Sequence, residues 1–371
     1  GSTTWYVIGF LKEMEKKIPG TSYLVHYDGQ NLPDAIIWMT PHMKRKAQRF
    51  GNILFLDAQK RSYNHVGWPY SGITIIDGNN KIGVCCEGII STEDLNIYAW
   101  MLRSMCQMEP GFSLSKIKLI FADQFIQQSL INNLGISSTC TLRADYWHCM
   151  NQVWPAREHF GPTVMASIGK YLNGMMYCTT KVQWDLLYHK ALREIGDDPR
   201  RVEKLIEIGH NESYYTGYYL KGIEGNLGLN GSTPVEINHA SNVAHLGKGA
   251  SWSLSEHCAH LFKRQQYLYT LEVQEENAHY ISTIKYKSPF TNKLEKSDVK
   301  AKTALTKYAY ETFFVPSAKK TLNLNSSTDN GCDFVCWPVN EERSDANTIV
   351  IEKDKRCPCT TRIKYIVQCQ H

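Results

Sequence analysis

Two aspartates close short apolar runs: Asp57 ends GNILFLD and Asp123 ends KIKLIFAD. A carboxylate at the end of a buried strand is held firmly, and hard cations such as Mg²⁺ and Mn²⁺ take oxygen ligands. Several carboxylates converging on two such ions, about 3.5–4 Å apart, perform phosphodiester chemistry: one ion activates the attacking oxygen, the other stabilises the leaving oxygen. A strand-end aspartate by itself is a weak signal, because many only form turns or cap helices. A second constellation lies at the C-terminus. Cys357-Pro358-Cys359 and Cys369-Gln370-His371 form two close pairs separated by nine residues. Three thiolates and one imidazole satisfy tetrahedral Zn²⁺, and Pro358 stiffens the first pair.

These residues need a frame. From residue 51 the chain reads as β-β-β-α-β-α-β. GNILFLDAQ, GITIIDGNN and KIGVCCEGII are strand candidates, and the Asp-Gly turn joins the second and third as a hairpin. A helix follows, with Ser91 or Thr92 as its expected N-cap and Ile97, Trp100, Met101 and Met105 on its apolar face. KIKLIFADQF and CTLRADYW complete the strand set. Mixed sheets flanked by helices place active sites at strand ends. Before residue 51, Trp5 to Lys17 reads as a helix, and Lys44, Arg45, Lys46 and Arg49 form a basic patch suited to phosphate. Residues 150–230 read as mainly helical. A Gly/Asn-rich loop then introduces a helix near Val235 to Leu246, and a long helix begins near Ser253. From residue 321, Ser/Asn/Asp-rich loops separate two short strands, FVCWPV and NTIVIE.

The chain has 371 residues, enough for two or three domains. It is 43% hydrophobic and 21% charged, as in soluble globular proteins. No apolar run reaches the ~18 residues of a membrane span, and no secretory signal pattern opens the chain. Gly1-Ser2 resembles a cloning remnant, so the natural chain is expected to begin further upstream. The 12 cysteines then read as reduced thiols or metal ligands. Cys85 and Cys86 are expected to be buried, while His257, Cys258 and His260 read as helix-surface residues. The net charge of +5 is uneven: residues 281–320 hold nine lysines and three acids, leaving the remainder slightly acidic. Lys285 and Lys287 open that stretch, with aromatics interleaved, and are phosphate-contact candidates.

Local stretches carry a resemblance to a known family. AIIWMTP before RFGNILFLDAQKRSYN, then WPYSGITIIDGNNKIGVCCEGIISTED, ADYWHCMNQV and GSTPVEINHASNV resemble, in order and spacing, segments of Mutator-like DDE transposases. The likeness runs from about residue 30 to the end. It implies an α/β fold with a ribonuclease-H-like, retroviral-integrase-like mixed sheet. An all-helical insertion interrupts that sheet, and the C-terminal cysteines resemble a SWIM-type zinc module. The expected divisions are a lead-in at 1–50, the first core part at 51–150, the insertion at 151–230, the last core part at 231–280, a basic linker at 281–320 and the zinc module at 321–371.

Residue by residue, the resemblance makes Asp57 and Asp123 the first two catalytic acids and Glu236 the third, with Glu256 as competitor. Asp145 and His148 match the family's Asp-x-x-His signature. A tryptophan of the insertion is expected to stack on an extruded base; Trp184 and Trp154 are candidates, although the leucines around Trp184 favour a core role. The implied activity is metal-dependent cleavage and strand transfer at transposon ends, using two Mg²⁺ or Mn²⁺ ions, with Zn²⁺ held by Cys357, Cys359, Cys369 and His371. The implied partners are double-stranded DNA and further copies of the chain, in the nucleus and away from membranes. The family's N-terminal DNA-binding zinc domain is not found in this text. A non-catalytic domesticated DNA-binding protein, or a nuclease without strand transfer, are the other readings.

Overall fold

A computed structural model describes residues 2–59, 64–122, 127–136, 138–144, 159–220, 233–247, 252–284, 302, 307–311, 324–329, 333–338 and 349–352. The chain forms two compact units. The first comprises Gly1–Asp77, Ile82–Ile223 and Gly228–Tyr267; the second comprises Gly78–Lys81, Glu224–Leu227 and Leu268–His371.

The first unit opens with helix α1 (Ser2–Lys17), strands β1 (Ser22–Tyr27) and β2 (Pro33–Met39), and helix α2 (Pro41–Phe50). It continues through β3 (Ile53–Phe55), the short β4 (Ala58–Gln59), the hairpin β5 (Tyr70–Ile76) and β6 (Ile82–Ile90), and α3 (Leu95–Met108). Then come β7 (Leu119–Ala122), α4 (Gln127–Leu134) and β8 (Thr141–Ala144). The fold class is α/β with a mixed sheet, ordered β1-β2-β6-β5-β3-β7-β8, with β4 paired to β5. Neighbours from β1 to β3 are antiparallel, whereas β3, β7 and β8 run parallel.

The central parallel strands are apolar throughout because both their faces are covered. Period-two alternation divides their side chains. Leu54, Ile120 and Ala122 join the main core, while Ile53, Phe55, Leu119 and Phe121 form a cluster with Leu220. Phe55 and Phe121 stack there with ring centroids 4.9 Å apart. The β-β-β-α-β-α-β order is present, with β4 added. The first 50 residues are more than a lead-in, since β1 and β2 extend the sheet from the β6 edge.

Helix α3 buries Ile97, Met101 and Met105 as expected, while Trp100 is only partly covered. Its N-cap is Asp94, not Ser91 or Thr92. One carboxylate oxygen accepts from the Asn96 and Ile97 N–H groups at 2.7 and 3.0 Å, and the Thr92 hydroxyl donates to the other at 3.2 Å. A carboxylate both satisfies these donors and complements the helix dipole, which a hydroxyl does not. Asp94→Ala is expected to lower stability by about 1 kcal/mol. Urea titration should show an earlier midpoint with an unchanged slope, and Thr92→Ala a smaller change.

Residues 159–220 contain α5 (Gly161–Tyr177), α6 (Lys181–Glu194), α7 (Pro199–His210) and the single turn α8 (Glu212–Tyr215). Thr180 and Asp198 cap α6 and α7, accepting from Gln183 and Arg200 N–H groups. These helices pack around their own core of Phe160, Ile168, Leu172, Met175, Trp184 and Leu205. Arg143, fully buried on β8, donates to the carbonyls of Met176 and Thr216 and so ties this core to the sheet edge. Two more helices follow, α9 (Thr233–Leu246) and the 31-residue α10 (Leu254–Ile284), which belongs to the first unit through Tyr267.

In the second unit, Lys81 pairs with Glu275, and the Lys302 ammonium lies over the Tyr310 ring. Strands β9 (Leu324–Asp329), β10 (Asp333–Pro338) and β11 (Ile349–Glu352) form an antiparallel sheet with β10 central. β10 and β11 coincide with the two expected strands. LNSSTD, expected as loop, is β9: backbone pairing with β10 overrides its polar composition. Among the described residues, no helix is long and apolar enough to cross a membrane.

Candidate active site

Asp57 sits where β3 ends. The parallel ladder pairs Phe55 with Phe121, and the Leu56 N–H still donates to the Phe121 carbonyl at 2.8 Å. Pairing therefore persists up to the residue before Asp57. The Asp57 Oδ1 accepts from the Ala58 N–H at 2.8 Å, which fixes the carboxylate's rotation. Its Oδ2 lies 3.9 Å from Nδ1 of His239, with side-chain exposures of 15% and 10%. Next along the sheet, Ala122 pairs with Ala144. Asp123 and Asp145 directly follow those two residues in the sequence, but both lie outside the described residues, as do His148 and Trp154.

Helix α9 packs on β5 and β6. Its Asn238, His239 and Asn242 are buried together with Leu246, whereas Ile237 is exposed, so the inner face is polar from Asn238 to Asn242. Glu236 occupies the first turn, three residues before His239; its side chain lies outside the described residues.

A buried polar network beneath α9 explains that inner face. Glu87, fully buried on β6, accepts from the Trp38 indole at 3.2 Å, the Tyr70 hydroxyl at 3.1 Å and the Gln265 amide at 2.7 Å. The Arg264 guanidinium lies 3.8 Å from the same carboxylate and donates to the Asn238 side-chain Oδ1 at 2.7 Å. The Asn238 amide in turn donates to Tyr70 at 3.3 Å. The ring of Tyr70 folds over Gly72, where any larger residue would meet its hydroxyl. Burial pushes the Glu87 carboxyl above its ordinary range, while Arg264 and the three donors pull it back. Burial also pushes up the Tyr70 phenol, and the Glu87 charge adds to this.

Sequence reasoning passed over Glu87, Arg264 and His239. One signal for Glu87 was available: it is the only acid in KIGVCCEGII, an otherwise apolar strand, and a lone buried acid requires partners.

Glu256 has a different structural role. Its carboxylate accepts from the Ser253 N–H at 2.8 Å, and the Ser253 hydroxyl accepts from the Glu256 N–H at 3.2 Å. This reciprocal pair is a capping box at the start of α10. The Ser253 hydrogen bonds hold the exposed Glu256 carboxyl below its ordinary value.

His257 and Cys258 are buried, contrary to the helix-surface reading; only His260 is partly exposed. The spacing of Leu254, His257, Cys258 and Leu261 turns that stripe inward. The His257 Nδ1 accepts from the Asn64 amide at 3.2 Å, which also donates to the Trp68 carbonyl. Burial, aided by His260, lowers His257 to about 4. A histidine depressed below its unfolded value stabilises the fold fully above pH ~6.5 and loses that contribution as pH falls toward 4. Stability is expected to fall by about 3 kcal/mol over that window. His257→Gln should flatten this part of a pH series of urea titrations.

The basic patch is smaller than the sequence suggested. On α2, Arg45 and Arg49 face solvent, Lys44 is half-buried, and Lys46 packs inward beside Met43 and Ala47. Lys46 is removed from phosphate reach because helical spacing turns positions 43, 46 and 47 to the sheet. Trp184 is 2% exposed, so its indole fills the helical core rather than offering a stacking face. Cys85 and Cys86 are buried, and burial pushes the Cys85 thiol to about 12. Lys285, Lys287, Cys357, Cys359, Cys369 and His371 lie outside the described residues.

Among the described residues, no three His, Cys, Asp or Glu side chains converge as a metal group; Asp57 and His239 approach as a pair. Asp57 fits a divalent cation on its own chemistry: a hard carboxylate, 15% exposed, whose rotation the Ala58 N–H fixes. Comparison with protein-family models and with curated proteins finds no match for the chain.

Proposed function

We propose that the chain is the catalytic core of a DDE-type DNA transposase, cutting and joining phosphodiesters at transposon ends. The carrying observation is Asp57 at the end of the central strand, beside the helix that bears Glu236. In the sequence, residues 57 and 123 each come two positions after Phe55 and Phe121, the register pair of adjacent parallel strands. The order β6-β5-β3-β7-β8, three antiparallel strands followed by two parallel ones, supports a ribonuclease-H-like core. The helical residues between β8 and α9 occupy the place of the family's insertion. The capping role of Glu256 favours Glu236 as third acid.

In this reading Asp57, Asp123 and Glu236 would hold two Mg²⁺ or Mn²⁺ ions. Those ions, when bound, supply charge to activate the attacking oxygen and to stabilise the leaving one. The chain's own part is positioning. The Ala58 N–H orients Asp57 and the Asn238–Tyr70–Glu87 network anchors α9, while the resemblance assigns Asp145 and His148 a supporting role in phosphate positioning or proton transfer. Such fixed placement is where proteins contribute most to phosphoryl transfer. Arg45, Arg49, Lys285 and Lys287 contact DNA phosphates, and Cys357, Cys359, Cys369 and His371 hold Zn²⁺. The nucleus is the compartment and a homo-oligomer the working form.

The test is joining of a 3′-hydroxyl DNA end from the parent element to plasmid DNA with Mg²⁺ or Mn²⁺. Joining that requires the metal supports the proposal. Cleavage without joining indicates a nuclease, and DNA binding without either indicates a non-catalytic descendant.

A further inference from the structure

We infer that His239 is a nitrogen ligand of the metal site, placed beside Asp57 so that the site takes Mn²⁺ in preference to Mg²⁺. The inference rests on the proposed role of Asp57 as a metal ligand. The 3.9 Å from His239 Nδ1 to Asp57 Oδ2 is too long for a direct hydrogen bond. Two cis ligand atoms on one octahedral cation, with bonds of about 2.1 Å, stand about 3.0 Å apart, so Nδ1 and Oδ2 would close by about 0.9 Å to share an ion. The other oxygen of Asp57 is engaged by Ala58, so Oδ2 is the one facing the imidazole.

His239 is also held in place. Its neighbour Asn238 is locked between Tyr70 and Arg264, and the Tyr70 ring meets the imidazole edge-on at 6.3 Å. Ligands supported in this way keep their geometry when an ion arrives. Imidazole is a softer donor than carboxylate; it suits a transition ion, whereas Mg²⁺ keeps to oxygen.

The test uses the full chain and Mn²⁺ alone, followed by electron paramagnetic resonance. Wild type is expected to bind Mn²⁺ with a ¹⁴N coupling in the spin-echo modulation. His239→Gln, shown folded by its thermal melt, should lose that coupling and bind Mn²⁺ about 10-fold more weakly, with a smaller change for Mg²⁺. His239→Asp should bind without the coupling and narrow the preference between the two ions. Persistence of the coupling in His239→Gln overturns the inference. So does its absence from a wild type whose Mn²⁺ binding still depends on Asp57, and that outcome leaves the reading of Asp57 standing. Equal Mn²⁺ binding by wild type and Asp57→Asn overturns both.

Discussion

Asp57→Asn should reduce strand transfer by about 10³-fold or more while leaving the fold intact, a loss of about 4 kcal/mol in transition-state stabilisation. The substitution keeps the shape of the side chain, and the amide oxygen can still accept the Ala58 N–H. It removes the charge that would hold a cation. Asp57 is only slightly exposed, but it contributes no buried apolar surface, so the thermal midpoint should move by a few degrees at most. Glu236→Gln should give a comparable loss, and Glu256→Gln should retain most activity while losing part of the α10 cap. The pair of glutamate variants matters because the sequence leaves the two positions in competition. Loss of transfer in Glu256→Gln with retention in Glu236→Gln would reverse the assignment. Asp57→Asn joining DNA as well as wild type would place the chemistry elsewhere.

The strand ends were readable in the sequence because buried parallel strands are written as continuous apolar text. GNILFLD and KIKLIFAD announce both strands, and Asp57 follows the first of them as expected. The helices Lys181–Glu194 and Pro199–His210 were readable from their 3.6-residue spacing. Three features were not, each for a physical reason. β1 and β2 are antiparallel additions whose pairing partner, β6, lies about fifty residues further on, and no local pattern announces a long-range pairing. β9 is strand only because β10 offers it a backbone ladder. The Asp57–His239 approach joins residues far apart in sequence, and a single histidine in a polar helix looks the same whether it faces water or an active site. Burial of Lys46 shows the converse: a run of basic residues reads as one patch, yet the helix distributes it over two faces.

Arg264→Met is expected to cost 3–5 kcal/mol, the range for removing one member of a buried ion pair. Arg264 is 4% exposed and Glu87 is fully buried. Without the guanidinium, Glu87 keeps three neutral donors but has no opposite charge, and Asn238 loses the donor to its side-chain Oδ1. The pH dependence gives a sharper signature. Burial already raises the Glu87 carboxyl, and Arg264 is the first of the groups opposing that shift. In the variant the folded-state value rises further above the unfolded one. A carboxyl raised in this way is tolerated when protonated and penalised once ionised, so its stability contribution is lost as pH rises through the folded value. The variant should therefore lie closer to wild type at low pH than at neutral pH in urea titrations. A cost below 1 kcal/mol that does not change with pH would mean that Glu87 is not held as a carboxylate by Arg264. The same substitution bears on the site: Asn238 anchors the helix that carries His239 and Glu236, so the variant should also lose strand transfer at temperatures where it remains folded. Asp57→Asn is expected to remove activity without that stability loss, and the contrast would separate a group proposed to hold a metal from a network that holds the helix.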